Sequence, residues 1–139
     1  MARKKKSALQ KRKDDPKSKY WKNRADALWG AVIHEIYHEC AICGKYGIEA
    51  HHLISRGNTA TRHSIENGIG LCTNHHKFDR KLSAHTAPLA FAEWLQENHP
   101  ETWQWCSENK HKVQKPDYFE AFKDLEAWCI ENAPHLLGN

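Results

Sequence analysis

Between Cys40 and His76 the chain gathers residues that bind metals and move protons: the pair Cys40-Ala-Ile-Cys43, the double histidine His51-His52, Asn67, and the run Cys72-Thr-Asn-His75-His76. Two cysteines separated by two residues and followed by Gly44 make a tight knuckle, in which successive backbone NH groups can point at thiolate sulfur. Cys72 and His75 repeat the spacing after a gap of 28 residues (44–71). The two half-sites can then converge on one tetrahedral zinc, which would contribute folding free energy directly. The duller alternative is two buried cysteine pairs without metal. The histidines add proton chemistry, because imidazole with an ordinary pKa of about 6.5 accepts a proton near neutral pH and also ligates divalent ions.

These residues need elements to hold them. Residues 48–54 alternate and are β-prone, residues 69–72 form a second short apolar strand, and the polar segment SRGNTATRHSIENG between them is too long for a tight turn. After Cys72, Thr73 or Asn74 can cap a helix through His76, Phe78 and Asp79. The local order is therefore strand, long loop, strand, helix.

Upstream, Trp21, Ala25, Leu28, Trp29, Val32, Ile33, Ile36 and Tyr37 recur at three- and four-residue steps, an amphipathic helix over 19–39. Downstream, three helices are expected in 87–139. The first opens at Pro88 and buries Leu89, Phe91, Trp94 and Leu95, and the second opens at Pro100 and runs through Trp103 and Cys106. The third starts near Pro116 and Asp117 and buries Tyr118, Phe122, Leu125, Trp128 and Cys129. Cys106 and Cys129 read as core thiols.

The first helix also spells His34-Glu35-Ile36-Tyr37-His38, the H-E-x-x-H pattern of zinc proteases. A basic segment precedes it where a substrate-binding strand would be needed, charged Glu39 follows it, and Cys40 begins a competing motif at once. His34 and His38 are accordingly read as helix-surface residues. His63, His99, His111 and His135 are read as structural or solvent-exposed.

Charge is distributed unevenly. Of 21 Lys and Arg, 11 lie between Arg3 and Arg24 against Asp14 and Asp15 alone, leaving 10 basic and 15 acidic residues beyond. Residues 1–18 carry almost nothing to bury, so a disordered basic arm is expected there, with Lys4, Lys5 and Lys6 meeting a polyanion such as DNA. Residues 19–139 make one domain. No apolar run approaches the roughly 20 residues of a membrane helix, and the first residues lack the apolar core of a signal peptide. Five cysteines, an odd number, favour metal binding or burial over a disulfide framework. A cytoplasmic protein without membrane association is expected.

The combination AHHLISRG, TRHSIENGIGLC and HHKF, with the zinc knuckle, resembles the HNH endonucleases, and most of all their zinc-containing branch often found in phage genomes near DNA-packaging genes. The resemblance runs from about Cys40 to Phe91. It implies an α+β fold, a small ββα-metal (His-Me finger) core over 40–86 with mainly α-helical segments on either side. It further implies a metal-dependent DNA endonuclease. In that reading His52 is the general base, and His51 and His76 hold one divalent ion (Mg²⁺, Mn²⁺, Ni²⁺ or Zn²⁺). Asn67 ties the loop to the hairpin and keeps His52 aimed. Arg56, and secondarily Arg62, contact phosphate.

Structural zinc would sit on Cys40, Cys43, Cys72 and His75. The family usually has a cysteine at the position of His75, so His75 and His76 can exchange roles, and the x2 spacing from Cys72 assigns His75 to zinc. The run His85-Thr-Ala-Pro88-Leu-Ala-Phe91 resembles a family segment whose histidine is a metal ligand. His85 is then a third ligand displaced by an insertion over 79–84, with Asp79 or water as the alternative. DNA is the implied partner, phage packaging proteins a further one. A monomer that nicks with little sequence specificity is expected, since no base-reading element is present. The competing reading is a zinc-ribbon DNA-binding module without catalysis.

Overall fold

The computed structural model describes residues 4–138. Its centre is an 18-residue helix, here α2 (Lys19–Ile36), preceded by a short α1 (Ala8–Asp14). An antiparallel hairpin follows, β1 (Ile48–His52) and β2 (Gly68–Cys72), then a π-helical turn at Asn74–Phe78 and the helices α3 (Pro88–Asn98), α4 (Pro100–Asn109) and α5 (Tyr118–Asn132). The protein is thus a mixed helical chain around a small two-stranded sheet.

The stripe on α2 works as its spacing predicts. Ala25, Leu28, Trp29, Val32 and Ile33 are buried and pack against Phe122, Leu125 and Cys129 of α5. Ile36 is 43% exposed, because the helix ends there, short of the expected 39, and His38 lies beyond it. His34 and His38 are both exposed and do not share a helix, so the protease pattern has no structural basis. A second core joins Cys40, Ile69, Leu71 and Cys72 to Phe91 and Leu95 of α3.

β2 lies between the two cores. Ile69 and Leu71 face α3, while Gly68 and Gly70 face α2 and Tyr37. A Cβ on Gly68 would come within 2.2 Å of Ile33 Cδ1 and 2.9 Å of Trp29 Cζ2, so only glycine lets the helix lie this close to the strand. Gly68→Ala is expected to lower stability by about 1–3 kcal/mol through overpacking, read as a lower melting temperature. An unchanged Tm would show that the helix can give way.

Three expectations are corrected here. Leu89 is 82% exposed rather than buried, because it sits on the outer side of the first turn of α3. Cys106 is half-buried and lines a cleft instead of the core, whereas Cys129 is fully buried. Residues 7–18 of the expected disordered arm are ordered, while positions 1–3 lie outside the described residues. Ser7 caps α1 through Gln10 N, and Ser18 Oγ and Trp21 Nε1 donate to the carbonyls of Arg12 and Lys13 at its other end. The Pro16 carbonyl accepts from Tyr118 N and Phe119 N at the start of α5. Satisfied helix ends therefore hold a segment that buries almost no apolar surface. Among the described residues no helix is long and apolar enough to cross a membrane.

Candidate active site

The Cys3His knuckle is built by a turn and a strand end. Residues 40–44 turn through Gly44, whose φ of +76° favours glycine, while Cys72 ends β2 and His75 follows in the π-helical turn. Cys72 Sγ lies 3.3 Å from His75 Nδ1 and 3.9 Å from Cys43 Sγ, and Cys40 Sγ lies 3.9 Å from His75 Nδ1. Ligand-to-ligand edges around a tetrahedral zinc are about 3.4–3.8 Å, and each of these three distances lies within about 0.1 Å of that range. NH groups of Ile42 and His75 point at the sulfurs of Cys40 and Cys72, each at 3.4 Å. Burial pushes the Cys40 thiol up, but the NH groups of Cys72, Cys43 and Ile42 outweigh it and bring it down to about 6, favouring the ligating thiolate. This cluster could hold zinc.

A second cluster joins His51, His76 and His85. His76 Nε2 is 3.1 Å from both His51 Nδ1 and His85 Nε2, and His76 Nδ1 is 2.8 Å from Glu49 Oε1. An ionised carboxylate only accepts, so His76 Nδ1 carries the proton and Nε2 presents a lone pair to two other ring nitrogens. One proton can satisfy only one of those contacts. One cation satisfies all three, and nitrogen-to-nitrogen edges of about 3.0–3.4 Å are those of metal–imidazole bonds near 2.1 Å. Burial, with His76 and His85 adding to it, takes His51 down to about 3 and keeps it in the neutral, ligating form.

Backbone geometry explains how His75 and His76 part company and how His85 arrives. Adjacent residues in the π-helical turn point to different sides, His75 to the cysteines and His76 to His51. Residues 79–84 then fold back, with Asp79 Oδ1 accepting from Lys81 N and Leu82 N at 2.8 Å. Ala84 N and His85 N close onto the carbonyls of His75 and His76, both at 2.9 Å. Asp79 is thereby engaged in the turn, and it is His85 that reaches the other two imidazoles. Glu49 was not singled out by sequence. Its signal was available: it stands two residues before His51 and so shares that face of β1.

His52 points to the opposite face. Its ring stacks on Trp29 with centroids 3.8 Å apart, and its Nε2 lies 2.9 Å from the Arg62 carbonyl. A carbonyl accepts only, so Nε2 carries the proton and Nδ1 has the free lone pair. Burial pulls the His52 pKa down, while the Arg62 carbonyl pulls it the other way. Asn67 is fully buried: Oδ1 accepts from Ile54 N at 2.6 Å, and Nδ2 donates to the carbonyls of Ile54 and Thr61 at 3.0 and 3.1 Å. The amide thus stitches both ends of the loop to the start of β2.

Arg56 is exposed at a cleft of about 690 Å³ whose wall also carries His51, His52, His76 and His85. Apolar Phe91, Leu95 and Trp103 are among the other lining residues. Arg62 departs from its expected role. Its guanidinium holds both carboxylate oxygens of Asp26, at 2.8 and 2.9 Å, and donates to the Arg56 carbonyl at 3.0 Å, so it braces the loop and is not open to phosphate. Lys6 pairs with Asp14, Lys4 and Lys5 are exposed, and none of the three lines the cleft.

A hairpin whose two faces carry a three-imidazole cluster and a stacked histidine, closed by a Cys3His knuckle, is an arrangement consistent with a small ββα-metal core. Compared with family models, residues 40–84, about a third of the chain, match the family described as HNH endonuclease. No curated protein and no solved structure matches the chain. At the level of the family, the match supports a metal-dependent, nuclease-type hydrolase.

Proposed function

We propose that this chain is a metal-dependent DNA endonuclease that hydrolyses phosphodiester bonds with little sequence specificity, nicking as a monomer. The observation that carries the reading is the alternation of β1, which sends His51 to the His76–His85 cluster and His52 to the other face at one cleft. His51, His76 and His85 would hold one divalent cation, which when bound supplies Lewis-acid stabilisation of the phosphate and of the departing 3′ oxygen. His52 takes a proton from the attacking water at Nδ1, the nitrogen left free by the Arg62 carbonyl. Arg56 holds a phosphate oxygen at the mouth of the cleft. Asn67 acts indirectly, by fixing the loop that carries Arg62. The products are 5′-phosphate and 3′-hydroxyl ends. Lys4 and Lys5 on the basic arm add contacts to phosphate without sequence information.

The test is a supercoiled-plasmid assay after EDTA treatment, with Mg²⁺, Mn²⁺, Ni²⁺ or Zn²⁺ added back separately. Open-circle product restored by a divalent ion is expected from wild type. Tight, salt-dependent DNA binding without nicking under any of the four ions would replace the enzyme by a zinc-ribbon binding module. Appearance of linear product before open circles would replace the nicking monomer by a double-strand cutter.

A further inference from the structure

The groups that aim His52 are not confined to the hairpin. Asp26 and Trp29 lie three residues apart on α2, hence on one face of it, and both precede the segment that matches the family model. Between them they hold three consecutive residues of the long loop. Asp26 accepts from Arg62 through Nε and Nη2, and from His63 Nε2 at 2.6 Å. Trp29 Nε1 donates to the Ser64 carbonyl at 2.9 Å, while its ring lies flat on His52, only 10° from parallel. The carbonyl that receives His52 Nε2 belongs to Arg62 itself. Arg62 Nη1 in turn donates to the carbonyl of Arg56, the residue at the cleft mouth.

One carboxylate therefore stands behind both groups that would meet the scissile phosphate. We infer that Asp26 is a positioning residue for the nuclease site: by clamping Arg62 and His63 it fixes the Arg62 carbonyl that selects the Nε2–H tautomer of His52, and through the Arg62–Arg56 contact it sets where Arg56 stands. This inference rests on the reading of His52 as the base. A bidentate carboxylate–guanidinium pair has the directionality for the task, since two parallel hydrogen bonds fix the plane of the guanidinium as well as its distance. Asparagine in its place keeps the size but turns one acceptor into a donor that faces an Arg62 NH.

The experiment compares wild type with Asp26→Asn and Asp26→Ala in two readouts. Long-range ¹H–¹⁵N spectra give the tautomer of His52, assigned by the signal missing from His52→Ala. Wild type is expected to be Nε2–H and the Asp26 variants a mixture of both tautomers. In plasmid nicking, kcat is expected to fall about tenfold or more, as misplaced catalytic groups do, with the divalent-ion affinity unchanged. If Asp26→Ala does not fold, as judged by circular dichroism, Asp26→Asn decides. Asp26 variants that keep the wild-type tautomer and kcat would overturn the inference and leave the nuclease reading standing. Wild type that does not nick would remove the nuclease reading, His52→Ala that nicks equally well would remove His52 as its base, and in either case the tautomer spectra would still decide whether Asp26 holds the ring.

Discussion

Replacing His52 with alanine is expected to lower the nicking rate by about 10²–10⁴-fold, the range over which a positioned general base contributes. Zinc content and DNA affinity should change little, because His52 belongs to neither the Cys3His cluster nor the three-imidazole cluster. The pH dependence follows from the direction of its shift. Burial lowers the folded-state pKa of His52, so the ring stays neutral and proton-accepting to a lower pH than a free histidine, whose value is about 6.5. Between pH 6.5 and 8 the wild-type rate should therefore not be limited by protonation of His52, and it should fall only on further acidification. A rate that climbs steeply from pH 6.5 to 8 would point to a different base. Equal rates for wild type and His52→Ala would do the same.

The second large effect is expected at the Cys3His knuckle, which could hold zinc. Cys72→Ser removes a buried sulfur that ends β2 and lies against both His75 and Cys43. Structural zinc sites are worth about 10–16 kcal/mol in zinc-finger peptides at neutral pH, comparable to the whole stability of an ordinary domain. Loss of even about 5 kcal/mol should lower Tm by roughly 15 °C. The measurement is bound zinc together with Tm, with His76→Ala as the control. Cys72→Ser should lose one equivalent of tightly held zinc and much of its stability, whereas His76→Ala should keep that zinc and most of its stability. Equal Tm for Cys72→Ser and wild type would mean that the cysteines are packing residues.

Much of this architecture was legible in the chain because its signals are local. The period of α2, the alternation around His51-His52 and the x2 spacings each depend on neighbours in sequence, and the elements they announce are present. Residues that act across distance were harder to read. Asp26 and Arg62 look like ordinary surface charges in sequence, and only the packing of α2 on the loop turns Arg62 from a candidate phosphate ligand into a brace. Glu49 shares its face of β1 with His51, which the alternation could have shown, but its partner could not be read until His76 was folded opposite it. The basic arm misled for a different reason. Composition reports what a segment can bury, whereas this one is held by a proline carbonyl and two side chains that satisfy helix ends.

The packing of α2 against α5 has a consequence for synthesis. The stripe that carries Trp29 meets Phe122, Leu125 and Cys129, which come later in the sequence, while the hairpin and the Cys3His cluster come between. A contact between such distant segments forms slowly and cannot form before both have left the ribosome. The knuckle can close as soon as Cys72 and His75 emerge, but the surface on which His52 rests is completed only when α5 docks. A nascent chain would then close the cluster that could hold zinc before the surface under His52 is complete, so any chemistry that depends on the aim of His52 waits for α5 to dock.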